Sequence, residues 1–223
     1  MILYHGSEKI IENPAYALGK KNNDYGRGFY CTESEELAKE WACAHNKNGF
    51  ANKYEFDMEG LNVLYLSSDE YVILNWLAIL AQNRTYWENG TVSEMAKKYI
   101  AENFAIDTSG YDVIIGYRAD DSYFSFAQDF ASGAISYRQL TEAMRLGKLG
   151  EQVVLISEKA FEHIKFISFS EADATVYYNK KKERDIVARR EYRKTKGDVL
   201  SPDELFIVDI IREGMKADDE RLR

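Results

Sequence analysis

The stretch that most constrains this chain is Tyr25-Gly26-Arg27-Gly28-Phe29-Tyr30-Cys31-Thr32, followed at once by a helical pattern. Two glycines around one basic residue permit a tight turn, because glycine adopts positive φ and lets other groups approach the backbone closely. The aromatic and Cys-Thr residues that follow suit a short strand. Thr32, with Glu35 three residues on, reads as a capping box and predicts a helix over residues 33–44. Leu37, Trp41 and Ala44 then share one face of that helix at steps of four and three. The chain must turn, extend briefly and double back as a helix. A corner of this kind is expected to set Tyr30 and Trp41 on either side of a gap as wide as a flat ligand.

The glycine pattern excludes two common phosphate-binding designs. Gly26-x-Gly28 lacks the third glycine of a dinucleotide fingerprint and leads from loop to strand, not from strand to helix. No Gly-Lys-Ser/Thr follows, so it is not a Walker loop. Upstream, Met1–Tyr4 reads as a short apolar strand that runs into His5-Gly6-Ser7. Taken alone, this is either an ordinary strand end or a hydrogen-bonding imidazole beside a backbone open to a ligand.

The rest of the chain alternates short strands with helices. Residues 8–23 carry the turn signals Asn13-Pro14 and Gly19. Residues 45–52 read as a polar loop, and 53–57 and 62–66 as two strands joined at Glu59-Gly60. Residues 69–82 are so apolar that they predict a buried helix, and 91–104 an amphipathic one. Tyr111–Tyr117 has the pattern of a central strand. Helices are predicted around 122–131 and 136–146, the second capped by Ser136. Residues 151–157 and 164–170 read as strands flanking a short helix over 158–162. From Ala172 onward the character changes. Residues 176–196 are helical in propensity and strongly basic, with nine Lys or Arg against Glu183, Asp185 and Glu191. Ser201-Pro202 reads as the start of a last helix. The sum is an α+β chain, with a helical appendage over 173–223 following a first unit over 1–172.

The ordered set Tyr4-His5-Gly6-Ser7, then Gly26-Arg27-Gly28-Phe29-Tyr30-Cys31-Thr32, then a helix with Trp41 eleven positions after Tyr30, resembles the ADP-ribosyltransferase superfamily. Within it the likeness is to the His-Tyr-Glu branch, that of diphtheria toxin and the poly(ADP-ribose) polymerases. More narrowly the chain is similar to an uncharacterised bacterial domain family of the DUF3990 type related to that branch. The likeness covers residues 1–45, and a weaker one continues through Asp112 and Gln152 to Ser170. It implies a split β-sandwich with inserted helices, and transfer of ADP-ribose from NAD to an acceptor with release of nicotinamide. By the same resemblance His5 would hold a ribose hydroxyl and Gly6 the nicotinamide carboxamide through its backbone. Tyr30 and Trp41 would sandwich the nicotinamide ring, with Trp standing where the best-known members have Tyr. Stacking a cationic ring on two aromatics combines burial with cation–π attraction, worth roughly 0.5–2 kcal/mol each. Ser7, Arg27 and Gly28 are further candidate NAD contacts, and Arg27 and Arg118 candidate partners of the diphosphate.

The third residue of that branch is a glutamate on a late strand. Here the matching strand reads Gly150-Glu151-Gln152-Val153-Val154. Strand neighbours face opposite sides, so either Gln152 or Glu151 enters the cleft, not both. Matching the strand's apolar residues favours Gln152. An amide can orient a ribose hydroxyl but supplies no charge to a developing cation and is a poor general base. The chain is thus either a transferase, or a module of this fold that binds NAD, ADP-ribose or a macromolecule without turnover.

Charge and cysteine content narrow the partners. A net charge of −8 argues against a surface built to coat nucleic acid. The basic run Lys180–Lys196 is either a solvated helix face or a docking surface for an acidic partner. Two cysteines, Cys31 and Cys43, without a Cys-x-x-Cys or clustered histidines, argue against a structural zinc site, and no metal is expected. Asp120-Asp121 is a weaker candidate for holding a metal or orienting an acceptor. Neither a signal-peptide core nor an apolar run of membrane-spanning length is visible, so a cytoplasmic location without membrane attachment is expected.

Overall fold

The computed structural model describes residues 1–84, 90–118, 121–146 and 150–223. Its strands form two small sheets. In the first, β1 (Ile2–Ser7), β3 (Gly49–Phe56) and β7 (Ile164–Ala172) lie antiparallel in the order β1-β3-β7. In the second, β2 (Phe29–Cys31), β6 (Glu151–Leu155), β5 (Val113–Tyr117) and β4 (Val63–Tyr65) lie in the order β2-β6-β5-β4, with β4 and β5 parallel. The chain is therefore α+β, as its pattern predicts.

A two-bond bridge joins the sheets. Tyr4 N–H donates to Thr32 O at 2.8 Å, and Thr32 N–H returns the bond to Tyr4 O at 2.9 Å. This pairing overrides the expected helix start, because Thr32 spends its backbone on a distant strand. The N-cap is Ser34, whose Oγ accepts from Leu37 N–H at 3.3 Å, and helix α1 spans Glu35–Ala42. Helix α1 lies so close on β1 that a Cβ on Gly6 would sit 1.9 Å from the Ala38 carbonyl oxygen. The glycine at this position is thus demanded by packing whatever else it does.

Two further expectations are corrected. Residues 45–52 are not all loop, since β3 already begins at Gly49. Polar Asn52 hides the strand, being fully buried with its amide donating to His5 O (3.2 Å), Ser7 Oγ (3.1 Å) and Lys9 O (3.3 Å). The last helix starts at Ile207, not at Ser201-Pro202. Its cap comes from Asp209, whose carboxylate accepts the Phe206 N–H at 3.0 Å.

Helices α2 (Ile73–Asn83), α3 (Thr91–Asn103), α4 (Asp121–Ala131) and α5 (Tyr137–Ala143) pack into the main core, with Trp76, Leu77, Phe104, Phe126 and Phe130 fully buried. Ser136 caps α5 as the sequence implies. A short helix α6 (Glu158–Glu162) precedes β7. Helix α7 (Ala174–Lys196) then crosses back over α1, α4 and α5, and α8 (Ile207–Glu213) follows. Tyr192 of α7 stacks on Phe126 at 3.8 Å, and Ala188, Ile207, Ile210, Met215 and Leu222 join the same core as α2 and α4. The C-terminal helices thus share a hydrophobic core with the preceding residues.

No helix among the described residues is long and apolar enough to cross a membrane, and they contain no group of three or more His, Cys, Asp or Glu able to hold a metal ion. Asp120 lies outside the described residues, as does the side chain of Asp121.

Candidate functional site

A cavity of about 650 Å³ opens where the two sheets meet, within the size range of small-molecule pockets. It draws His5 and Gly6 from β1, Gly28 and Tyr30 from the glycine corner, Trp41 from α1 and Gln152 from β6. Part of its wall is the segment between β1 and the corner, with Ile11, Pro14 and Leu18. That segment is pinned to β3: Tyr54 Oη donates to Ile11 O at 2.6 Å, and Ile11 N–H donates to Asn52 Oδ1 at 2.9 Å.

His5 is fixed on two sides. Its Nδ1 lies 2.7 Å from Tyr30 O, and a carbonyl only accepts, so Nδ1 carries the proton. The ring stacks on Phe29 with centroids 4.3 Å apart and planes inclined by 25°. Burial holds its pKa below the ordinary histidine value, against a smaller upward pull from the Tyr30 carbonyl. The imidazole is neutral near pH 7, with Nε2 left as an acceptor.

Tyr30 is anchored by its hydroxyl, which donates to Gly26 O at 2.7 Å and accepts from Tyr25 N–H at 3.0 Å. Burial pushes its phenol well above the usual tyrosine value, so it stays protonated. The hydroxyl closes the glycine turn, in which Gly26 sits at φ +74°, and the ring is what Tyr30 offers the cavity. Trp41 also lines the cavity, and it carries the guanidinium of Arg118 over its ring, 3.8 Å from the centroid. Trp41 Nε1 is buried without a hydrogen-bond partner among the described residues.

Of the two candidates on β6, Gln152 lines the cavity at 3% exposure, whereas Glu151 is exposed. Gln152 Nε2 donates to Asp24 Oδ2 at 3.0 Å and to Tyr117 O at 3.1 Å. The Tyr117 carbonyl also receives Tyr25 Oη at 2.6 Å and Trp76 Nε1 at 3.2 Å. Asp24, itself buried, is gripped through Oδ1 by Arg84 Nε at 2.9 Å and Nη2 at 2.6 Å. Asp24, Arg84 and Arg118 all line the cavity.

Two predicted contacts fall elsewhere. Ser7 does not line this cavity: its hydroxyl donates to Lys9 O at 2.6 Å, in the turn that leaves β1. Arg27 is exposed on the turn between the two glycines, and its side chain is not part of the lining. Cys31 is fully buried, and burial pushes its thiol far above the ordinary range, so it is no nucleophile.

Asp24 and Arg84 are the site residues that sequence reasoning misses. Asp24 looks like a turn acid before a glycine corner, and Arg84 like a generic basic residue at the end of α2. Their sixty-residue separation hides the pairing.

Three of the nine basic residues of the run pair with acids on other helices. Lys180 meets Glu36 at 2.7 Å, Arg184 meets Glu40 at 2.6 Å, and Lys196 meets Asp129 at 2.9 Å. Glu36 and Glu40 both lie on α1, the first five residues before Trp41 and the second next to it. Helix α7 therefore holds the helix that carries the tryptophan.

A family model described as "Protein of unknown function (DUF3990)" matches residues 1–166. No curated protein and no solved structure matches the chain.

Proposed function

The chain belongs to the DUF3990 family, and we propose that it is an NAD-dependent mono-ADP-ribosyltransferase, moving ADP-ribose from NAD to an acceptor with release of nicotinamide. The observation that carries this reading is convergence. His5, Gly6, Tyr30, Trp41 and Gln152 come from β1, β2, α1 and β6, yet line one cavity. These are the positions at which the ADP-ribosyltransferase resemblance expects the ribose hydroxyl, the carboxamide, the two stacking rings and the late-strand residue. The two sheets meeting at a cleft are what a split β-sandwich of that superfamily would provide, with residues 173–223 as a supporting appendage.

The chemistry of the lining suits NAD. The dinucleotide pairs a flat pyridinium cation with an anionic diphosphate. Tyr30 offers an aromatic face to the ring, His5 Nε2 an acceptor for a sugar hydroxyl, and Arg118 and Lys20 bring positive charge for phosphate. Trp41 serves the ring through the face opposite Arg118, or through the same face once Arg118 turns to the diphosphate.

The test is a calorimetric titration of the full chain with NAD, followed by incubation with NAD labelled in its adenylate half. Binding at micromolar to millimolar NAD, with nicotinamide release that disappears in Tyr30→Ala, supports the reading. A folded chain that binds no NAD at millimolar concentration overturns it. Gln152 motivates a second reading, a module that binds NAD or ADP-ribose without turnover, since its amide carries no charge. Binding without nicotinamide release selects that reading.

A further inference from the structure

We infer that Asp24 is a positioning residue that acts through Gln152, fixing the amide so that its oxygen is the atom left for a ligand and supplying, through that hydrogen bond, the negative charge that the amide lacks. This rests on reading the cavity as an NAD site.

The hydrogen bonds decide the orientation of the amide. Both protons on Gln152 Nε2 meet groups that can only accept, Asp24 Oδ2 at 3.0 Å and Tyr117 O at 3.1 Å. The flipped amide would press Oε1 against a carboxylate and a carbonyl, so the assignment of N and O is not arbitrary. What Gln152 has left to offer a ligand is Oε1, as an acceptor. Arg84 clamps the other carboxylate oxygen of Asp24 through two nitrogens, at 2.9 and 2.6 Å, so the acid cannot swing away from the amide. The hydrogen-bonded series runs from the Arg84 guanidinium through the Asp24 carboxylate to the Gln152 amide, along the cavity wall. Hydrogen bonds in series polarise one another, so the carboxylate deepens the negative end of the amide dipole.

That arrangement fits the electronic demand of the reaction. The bond between C1′ of the ribose and the pyridinium nitrogen breaks, and its electron pair goes to nicotinamide, which leaves as a neutral molecule. Positive charge develops on C1′ and the ring oxygen. The acceptor, or water, forms the new bond to C1′ and releases its proton to solvent. Negative charge held near C1′ favours this transition state over the ground state. Asp24 with Gln152 divides between two side chains what a single strand carboxylate would do alone.

The experiment transposes the pair in the full chain, comparing Asp24→Asn, Gln152→Glu and the double variant Asp24→Asn/Gln152→Glu. Nicotinamide release from NAD into water, NAD affinity by calorimetry and thermal stability are read for each. Asp24→Asn is expected to lower kcat by about tenfold to a hundredfold while NAD affinity stays within about twofold. The double variant, which returns one carboxylate to the pair, is expected to recover most of that loss. Gln152→Glu alone sets two carboxylates side by side and brings into the rate profile an apparent pKa above the usual carboxylate range, which the double variant lacks. Unchanged kcat in Asp24→Asn overturns the inference, as does a loss that the double variant fails to recover. Wild type that binds no NAD removes the NAD reading and the inference together. Wild type that binds NAD, with neither it nor the double variant releasing nicotinamide, removes the inference alone.

Discussion

The guanidinium carbon of Arg118 lies 3.8 Å from the centroid of the Trp41 ring. One face of the tryptophan is thus already matched to a cation at the rim of the cavity. Both residues line that cavity, so the contact bears directly on how a flat cationic ligand would enter.

Arg118→Ala should uncover the indole. Acrylamide quenching of the tryptophan emission is expected to rise, and the increase should vanish in the Trp41→Phe background. A cation–π contact of this kind is worth about 0.5–2 kcal/mol, so urea unfolding should show a loss of that order. Quenching that stays the same in Arg118→Ala would mean that Arg118 does not shield the ring.

Tyr30→Phe separates the two jobs of that side chain. The variant keeps the ring but leaves Gly26 O and Tyr25 N–H without the hydroxyl that serves both. A stability loss of about 1–3 kcal/mol is expected, with NAD affinity largely kept. Tyr30→Ala should lose both. Equal NAD affinity in the two variants would count against a stacking role for the ring.

Glu40 is 3% exposed and is held by Arg184 Nη2 at 2.6 Å and Nε at 3.0 Å. Arg184→Ala strands a buried carboxylate and should cost about 3–5 kcal/mol. Replacing both partners, Glu40→Leu with Arg184→Met, should be far less harmful, because no unpaired charge remains. Chemical denaturation of the three chains checks the order. A double variant less stable than Arg184→Ala would show that the pair contributes more than mutual neutralisation.

The buried neutral state of His5 gives stability a definite pH dependence. Its folded pKa lies below the unfolded value of about 6.5, so between the two the unfolded chain binds more protons. Stability contributed by His5 is level above the unfolded pKa and falls as pH drops toward the folded one. Urea midpoints measured from about pH 8 down to about pH 5 should fall on acidification, less so in His5→Asn. The difference between the two chains isolates His5 from His45 and His163. A midpoint that rises in acid through His5 would mean that its ring is charged in place.

Much of the frame is legible along the chain because local pattern and final packing agree. The apolar runs at Val113–Ile115 and Val153–Leu155 become buried central strands, and Ser136 caps α5. Sequence reading slips where a distant partner decides. Thr32 has the chemistry of a cap, yet Tyr4 claims its backbone. Asn52 looks like loop because it is polar, yet its buried amide satisfies the turn after β1. The cavity residues His5, Tyr30 and Trp41 stand out as an ordered aromatic and imidazole set. Asp24 and Arg84 do not, since neither forms a pattern with its own neighbours. Alternation alone does not choose between Gln152 and Glu151; matching the apolar residues of the strand favours Gln152, which is the one buried in the cavity lining while Glu151 is exposed.

The clamp of α7 on α1 has a consequence for biosynthesis. Glu40 waits for an arginine 144 residues further along the chain, and until it arrives a buried-to-be carboxylate has no counter-ion. A nascent chain on the ribosome will therefore have made its imidazole and both aromatic rings long before the tryptophan helix can settle. Assembly of the cleft is deferred to a late stage of synthesis, after helix α7 has left the ribosome.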